Sequence, residues 1–373
     1  MLSVEEAKLY DRGIRLWGVE AQQRLRQSVV VVLGMTEAAA ELCKNVVLAG
    51  IARLIVVFAD DDMDNALTHG SNMFVSAEDA EGGRSAAERA KLALSRINEL
   101  NNYVKVDALH VASWTSSALS AALPATVLAQ CDFLCVCDNA VPPSVAAELN
   151  DRSRDAGASF LDLRLFGTRA ILFCDMPLFD PSSAAASAAA SATEGAPLKR
   201  PCPRQRSSVK RGPSYSEVLT LPGDDLRTLR APSLLYVMQA IYADPVNPRI
   251  PSIGEDPEAL LESYKGQSEA AYICAIVGGV ASQEVVKELM RDHRSPEEIA
   301  AAISASTPTS VDEARRRQQA RRQQQNATGQ PLCNVLCYDC LREEGTVIFA
   351  AKEEAQRVRT ALKAAEQDAT ILD

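Results

Sequence analysis

The sequence has no run of about 18 apolar residues, the least a membrane-crossing helix needs. Its opening, MLSVEEAKLYDRG, has neither the basic start nor the apolar stretch of a secretory signal. The expectation is a protein that is neither secreted nor membrane-embedded, whose 10 cysteines are reduced thiols rather than disulfides. Positive charge is not in surplus: the formal net charge is -10. That argues against nucleic acid as a partner, because neutralising phosphates takes a concentration of Lys and Arg on one face. Pro, Gly and charge show no overall excess, and no repeat of about 20 to 50 residues is visible. What is present is an ordinary globular composition, 47% hydrophobic and 24% charged over 373 residues, which suits one domain carrying insertions.

The first half alternates strand-like and helix-like segments, the pattern of a sheet with helices on both faces. Ser3 and Glu6 form a capping box opening a helix that carries Val4, Ala7, Tyr10 and Ile14, and a second helical stretch runs through Leu25. SVVVVLG, Ser28 to Gly34, is almost continuously apolar and β-branched, as a buried parallel strand is. A helix from Glu37 to Ala49 closed by Gly50, then a strand from Leu54 to Phe58, complete a βαβ unit. The pattern next predicts a helix over 83–100, a strand from Val104 to His110, and another helix before CDFLCVCD, where Cys131, Cys135 and Cys137 read as small core residues. A helix from Pro142 to Ala156 follows. The strands Ala158 to Leu163 and Thr168 to Cys174 form a hairpin expected to end the sheet.

Ser182 to Pro213 is Ala, Ser, Pro and basic residues without apolar periodicity, and His293 to Gln330 is too polar to bury a face; both read as disordered insertions. Between them lie helical stretches from Asp224 to Tyr242 and from Ser268 to Met290, where Gly278 and Gly279 suggest close backbone contact. Strands from Asn334 to Tyr338 and Thr346 to Phe349 and a solvated helix from Lys352 to Ala369 complete the chain. The expected division is a domain's first part over 1–175, a basic insertion over 176–223, a helical part over 224–292, a polar insertion over 293–330, final strands over 331–351 and a tail over 352–373.

Gly34 ends the first strand where a dinucleotide-binding fold places a glycine-rich phosphate turn. Here Met35, Thr36, Glu37 and Ala38 follow it, so a phosphate would meet side chains and a carboxylate at a helix amino terminus. In YDRGIRLWG, Arg12 and Arg15 stand three residues apart; such a pair clamps a phosphate, pairs with a partner's carboxylates, or is simply a solvated face. Cys333, Cys337 and Cys340 offer three ligands of a zinc set, but no second paired motif accompanies them and His293 is remote, so no metal is expected. Lys199, Arg200, Arg204, Arg206, Lys210 and Arg211 form basic clusters that suit an import signal or a solvated charge run.

YDRGIRLWGVEAQQRLR, the following VVVVLG and ELCKNVVLAGI resemble the opening of the ubiquitin-like-modifier activating enzymes. Within that family the length and the segment YICAIVGGVASQEVVKEL are most similar to regulatory (Aos-type) subunits of the SUMO-activating branch. The resemblance covers about Leu9 to Asp175 and Asp224 to Asp292, with a weaker echo at NVLCYDCLREEGTVIF. It implies an α/β, Rossmann-like adenylation (ThiF/MoeB-like) fold with a mainly parallel sheet. It also implies a heterodimer in which a catalytic (Uba-type) subunit holds ATP and Mg, and this chain alone holds no cofactor. SUMO would be the modifier charged, a SUMO-conjugating enzyme an indirect partner, and the location nuclear with some cytoplasmic.

By the same resemblance, Arg12 reaches across to the partner's ATP, and Arg15, Trp17, Gly278 and Gly279 belong to the interface. Active halves carry Asn, Arg and Lys where Thr68, His69 and Ala86 stand here; Asp138 matches an acidic residue near the nucleotide, so a vestigial pocket with Gly34 is implied. No segment resembles the catalytic-cysteine domain. Three alternatives stay open: the regulatory half of a Nedd-type activating enzyme, a stand-alone sulfur-carrier adenylating enzyme, and a binding module that kept only the fold.

Overall fold

The computed structural model describes residues 2–61, 72–81, 83–177, 211–251, 257–265, 271–291, 334–339 and 344–371. Most of the first insertion and all of the second lie outside these residues, as do Thr68, His69, His293, Cys333 and Cys340.

The apolar run of the sequence is strand β1 (Val29–Leu33), flanked in parallel by β2 (Arg53–Ala59) and β4 (Phe133–Val136). In the register, Val31 pairs with Ile55 on one side and Leu134 on the other. With β3 (Lys105–Val111), β5 (Ser159–Phe166), β6 (Arg169–Asp175), β7 (Val335–Asp339) and β8 (Glu344–Ile348), the sheet order is β3-β2-β1-β4-β5-β6-β7-β8. The strands β3 to β5 in that order run parallel, and β6, β7 and β8 add on antiparallel. The β5–β6 hairpin therefore does not end the sheet: β7 pairs with β6, so the late strands join the same layer as the first.

Alternate residues of β1 feed two cores, as a strand covered on both faces requires. Val30 and Val32 pack with α3 (Val19–Leu25), α4 (Glu37–Ala49), α6 (Ala86–Glu99) and α14 (Ala271–Met290). Val31 and Leu33 face the side of α7 (Ser116–Ala122), α8 (Ala125–Leu128), α9 (Pro143–Ala156), α10 (Tyr215–Leu219), α12 (Ser233–Ala243) and α13 (Pro257–Lys265). The remaining helices are α1 (Val4–Leu9), α2 (Asp11–Trp17), α5 (Ala77–Glu81), α11 (Gly223–Thr228) and α15 (Lys352–Ile371). Among the described residues, no helix is long and apolar enough to cross a membrane.

Local chemistry sets most boundaries. The Ser3–Glu6 capping box closes as expected, Ser3 Oγ accepting from Glu6 N at 3.1 Å and Glu6 Oε2 from Ser3 N at 2.8 Å. The two helical stretches expected before β1 are three, because the chain turns at Tyr10 and Gly18 takes φ 94, a conformation costly for any residue with a Cβ. Helix α4 has its expected span, capped by Thr36 and stopped at Gly50 with φ 84.

Ahead of Asp224, Tyr215 at the start of α10 docks in the core, stacked on Phe173 with ring centroids 4.6 Å apart. The single helix read over Asp224 to Tyr242 is two: Arg230 turns with φ 53 and Pro232 caps α12. The tail read as solvated begins docked, with Ala355 buried and Arg359 bonded to Asp225 and Thr228 on α11.

Candidate functional site

In an open α/β sheet, ligands enter the crevice beyond the carboxyl ends of the strands where strand order reverses. Here that point lies between β1 and β4, so the crevice is made by Gly34 to Glu37 on one side and Cys137 to Val141 on the other. Gly34 has φ 88, and a Cβ placed there would fall 2.5 Å from the Asp138 Cβ. The buried Asp138 side chain thus lies directly on the glycine, and its Oδ1 accepts from Ala140 N at 2.9 Å. It braces its own loop rather than capping α9, whose cap position is Pro142. Thr36 Oγ1 ties the two sides together, donating to the Cys137 carbonyl at 2.8 Å while accepting from Ala39 N at 3.3 Å. Met35 is fully buried, and Asn72 Nδ2 donates to its carbonyl at 2.6 Å.

Glu37 opens α4, and burial together with the Glu41 charge raises its carboxyl above the ordinary range. Two carboxylates therefore stand where a phosphate chain would lie, and the helix amino terminus is already capped. The residues present do not fit a triphosphate. Ala86, the first residue of α6 behind its Ser85 cap, brings no cation.

Behind the crevice is a polar network that the sequence reading missed. Arg164, on β5, is completely buried; its Nε donates to both oxygens of Asp162 at 2.9 Å, and Nη1 donates to the carbonyls of Asp138 at 2.7 Å and Val141 at 2.6 Å. Tyr215 donates its hydroxyl to Asp162 Oδ2, and Tyr264 donates to the Asn139 carbonyl at 3.1 Å. Asn139 Nδ2 in turn donates to the carbonyls of Leu165 at 2.6 Å and Tyr264 at 3.0 Å. Burial opposes the Arg164 charge, but the Asp162 carboxylate outweighs it, so the guanidinium holds its proton more tightly than usual. The signal was in the sequence: Asp162 and Arg164 sit two apart in an apolar strand, hence on one face.

The other end of the sheet differs. Tyr10 packs against Gly50, which ends α4 and leads into the start of β2, and Gln22 Nε2 donates to the Ala49 carbonyl at 2.9 Å. Arg12 follows on the first turn of α2, at the amino ends of the parallel strands; it is exposed and makes no hydrogen bond or ion pair among the described residues. Arg15 is paired on its own helix with Asp11, at 2.9 Å. Leu16, Trp17 and Val19 are 64%, 37% and 44% exposed. Arg12 and the Gly34–Asp138 crevice are thus on opposite ends of one sheet.

The two glycines of α14 behave differently from each other. A Cβ on Gly278 would lie 2.8 Å from the Ala38 carbonyl oxygen and from Glu41 Cβ, so its close approach is to α4 of the same chain, while Gly279 meets nothing within 4 Å. Arg211, counted with the basic cluster, turns inward: its side chain is buried with Asp175 Oδ1 3.7 Å away. Cys337 is buried in β7, where burial pushes its thiol up, and burial lifts Cys43 to about 12. Cys131, Cys135 and Cys137 are buried core residues. Among the described residues, no group of His, Cys, Asp or Glu is placed to hold a metal.

The strand order, with Gly34 and Asp138 at its switch point and helices on both faces, is that of an open, mainly parallel α/β domain. The chain matches the ThiF family over residues 10–334, and it belongs to that family. It is similar to SUMO-activating enzyme subunit 1 of Xenopus laevis, 28% identical over 337 residues covering 78% of this chain and 91% of that protein. The Homo sapiens SUMO-activating enzyme subunit 1 is 26% identical over 326 residues, 77% of this chain and 89% of that protein. A shorter match to the Dictyostelium discoideum subunit 1 is 41% identical over 106 residues, 28% of this chain and 30% of that protein.

Proposed function

We propose that this chain is the non-catalytic (Aos-type) subunit of a heterodimeric SUMO-activating enzyme. It supports ATP-dependent adenylation and thioester charging of SUMO by a catalytic (Uba-type) subunit that holds ATP and Mg. The names of its relatives support the modifier and the partnership. The observation that carries the division of labour is the position of Arg12. It is exposed, has no acceptor among the described residues and lies at the opposite end of the sheet from Gly34, which supports a role toward another molecule. A guanidinium aimed at a partner's nucleotide stabilises the charge that builds as the acyl adenylate forms. Arg15, Trp17 and the apolar side chains around them then serve the interface. The isolated chain is inactive in this reading, and its basic insertion directs the complex to the nucleus.

The test is Arg12→Ala assembled with a wild-type catalytic subunit. Because Arg12 is exposed, the heterodimer forms normally by gel filtration, while SUMO-dependent ATP–pyrophosphate exchange falls about 10- to 1000-fold. Undiminished exchange from an intact heterodimer rejects the trans-acting arginine. SUMO adenylate formed by the isolated chain rejects the assignment to the non-catalytic half.

A further inference from the structure

The arm that bears Arg12 is held to the body at a socket around Tyr10. Tyr10 is only 6% exposed, and a Cβ on Gly50 would fall 2.5 Å from its ring. Gly50 is left-handed, with φ 84, so two independent constraints exclude a side chain there. The Tyr10 hydroxyl accepts from Asn101 Nδ2 at 2.8 Å, and the same Nδ2 donates to the Val47 carbonyl at 2.8 Å. Asn101 lies just past the end of α6, and Val47 is in the last turn of α4, so the phenol is gripped jointly by two helix ends. Other ties hold the same arm: Gly13 lies against Gln22, Glu6 pairs with Arg26 at 2.7 Å, and the Arg26 guanidinium lies over the Tyr103 ring.

We propose that Tyr10 is a positioning residue: the Gly50–Asn101 socket fixes where α2 begins and thereby how far Arg12 is presented to the partner. The proposal rests on the trans-acting role of Arg12. Tyr10 touches no reacting atom; it acts through Asp11, the one residue that separates it from Arg12. The socket is rigid because Gly50 closes α4 and Asn101 Nδ2 spends both protons within it.

The experiment uses the full chain with the catalytic subunit and SUMO, measuring pyrophosphate exchange for Arg12→Ala, Tyr10→Ala, Tyr10→Phe and the Arg12→Ala/Tyr10→Ala double variant. Tyr10→Ala is expected to lower kcat about 10- to 100-fold, the size of effect a misplacement near 1 Å produces, with KM for SUMO unchanged. Tyr10→Phe, which keeps the ring in the socket, restores kcat to within about 5-fold of wild type, because a single hydrogen bond contributes about 1 kcal/mol. The double variant is no slower than Arg12→Ala alone. A double variant slowed by the product of the two single effects overturns the positioning role, because Tyr10 then acts by a route independent of Arg12. If Arg12→Ala is itself without effect, the reading of Arg12 fails first, whatever Tyr10 does. Should Tyr10→Ala not fold, Tyr10→Leu takes its place in both the single and the double variant, and the same multiplicative outcome overturns the proposal.

Discussion

The two ends of the parallel sheet use the same kinds of side chain to opposite purposes. At the carboxyl end, polar groups are spent within the chain: Thr36 on the Cys137 carbonyl, Asp138 on Ala140, Asn139 on Leu165 and Tyr264, and Arg164 on Asp162 and two loop carbonyls. At the amino end, Arg12 is exposed beside exposed Leu16 and Trp17, held from behind by Tyr10. A crevice becomes structural when its donors are satisfied internally, because a ligand must then break hydrogen bonds before it forms any. An exposed arginine with no acceptor among the described residues is open to a partner. Substitutions at the closed end should therefore read out as stability, and those of exposed open-end residues such as Arg12 as activity at unchanged stability.

The sharpest test of the closed end is Arg164→Leu. It leaves the buried Asp162 carboxylate without its cation and two carbonyls without a donor, and removing one partner of a buried pair costs about 3 to 5 kcal/mol. Urea denaturation of the isolated chain measures it. The Asp162→Leu/Arg164→Leu double variant should be more stable than Arg164→Leu alone, since no charge is then stranded. A near-neutral single substitution would mean that the network behind the crevice is not what closes it.

Next in size is Gly34→Ala. The added methyl meets Asp138 at 2.5 Å on a backbone with φ 88, so the expected loss is about 1 to 3 kcal/mol. In an assembled heterodimer the folded fraction should keep its full exchange rate, as the proposed placement of ATP on the partner requires. A variant as stable as wild type but slow in exchange would reverse the comparison and make the Gly34 end the working one.

The sequence made the central unit legible because several signals agreed there. The β-branched run of β1, the Thr36 cap, the Gly50 stop and the apolar β2 all pointed to one βαβ unit, and the structure has it. The lone glycine at the phosphate turn was equally readable. What was not readable depends on distant residues. That β7 pairs with β6 rather than standing apart is a long-range pairing without a local signature. Tyr215 lies beside a low-complexity stretch, and only its partners Phe173 and Asp162 reveal it as core. Two Gly residues side by side in α14 look alike in sequence; only Gly278 faces α4. Tyr10 was read as one position of a helical stripe, and its socket is made by Gly50 and Asn101, far along the chain.

The smallest effect bears on whether the closed end retains any taste for anions. The amino terminus of α4 favours a negative charge by about 0.3 to 1 kcal/mol, whereas burial and the nearby Glu41 disfavour it at Glu37. Burial first and Glu41 second push the Glu37 carboxyl above its ordinary range. A group whose folded pKa lies above its unfolded value near 4.3 lowers stability as pH rises through that interval, and the penalty disappears below it. Glu37→Gln should therefore be slightly more stable than wild type at pH 7, by less than about 0.5 kcal/mol, the scale of a like-charge pair one helical turn apart. Thermal unfolding at pH 7 and again near pH 4 should show that advantage shrinking as Glu37 becomes protonated. If the glutamine instead lowers the midpoint at pH 7, the helix terminus still attracts negative charge and the contrast between the two ends is weaker than the hydrogen bonds around Gly34 imply.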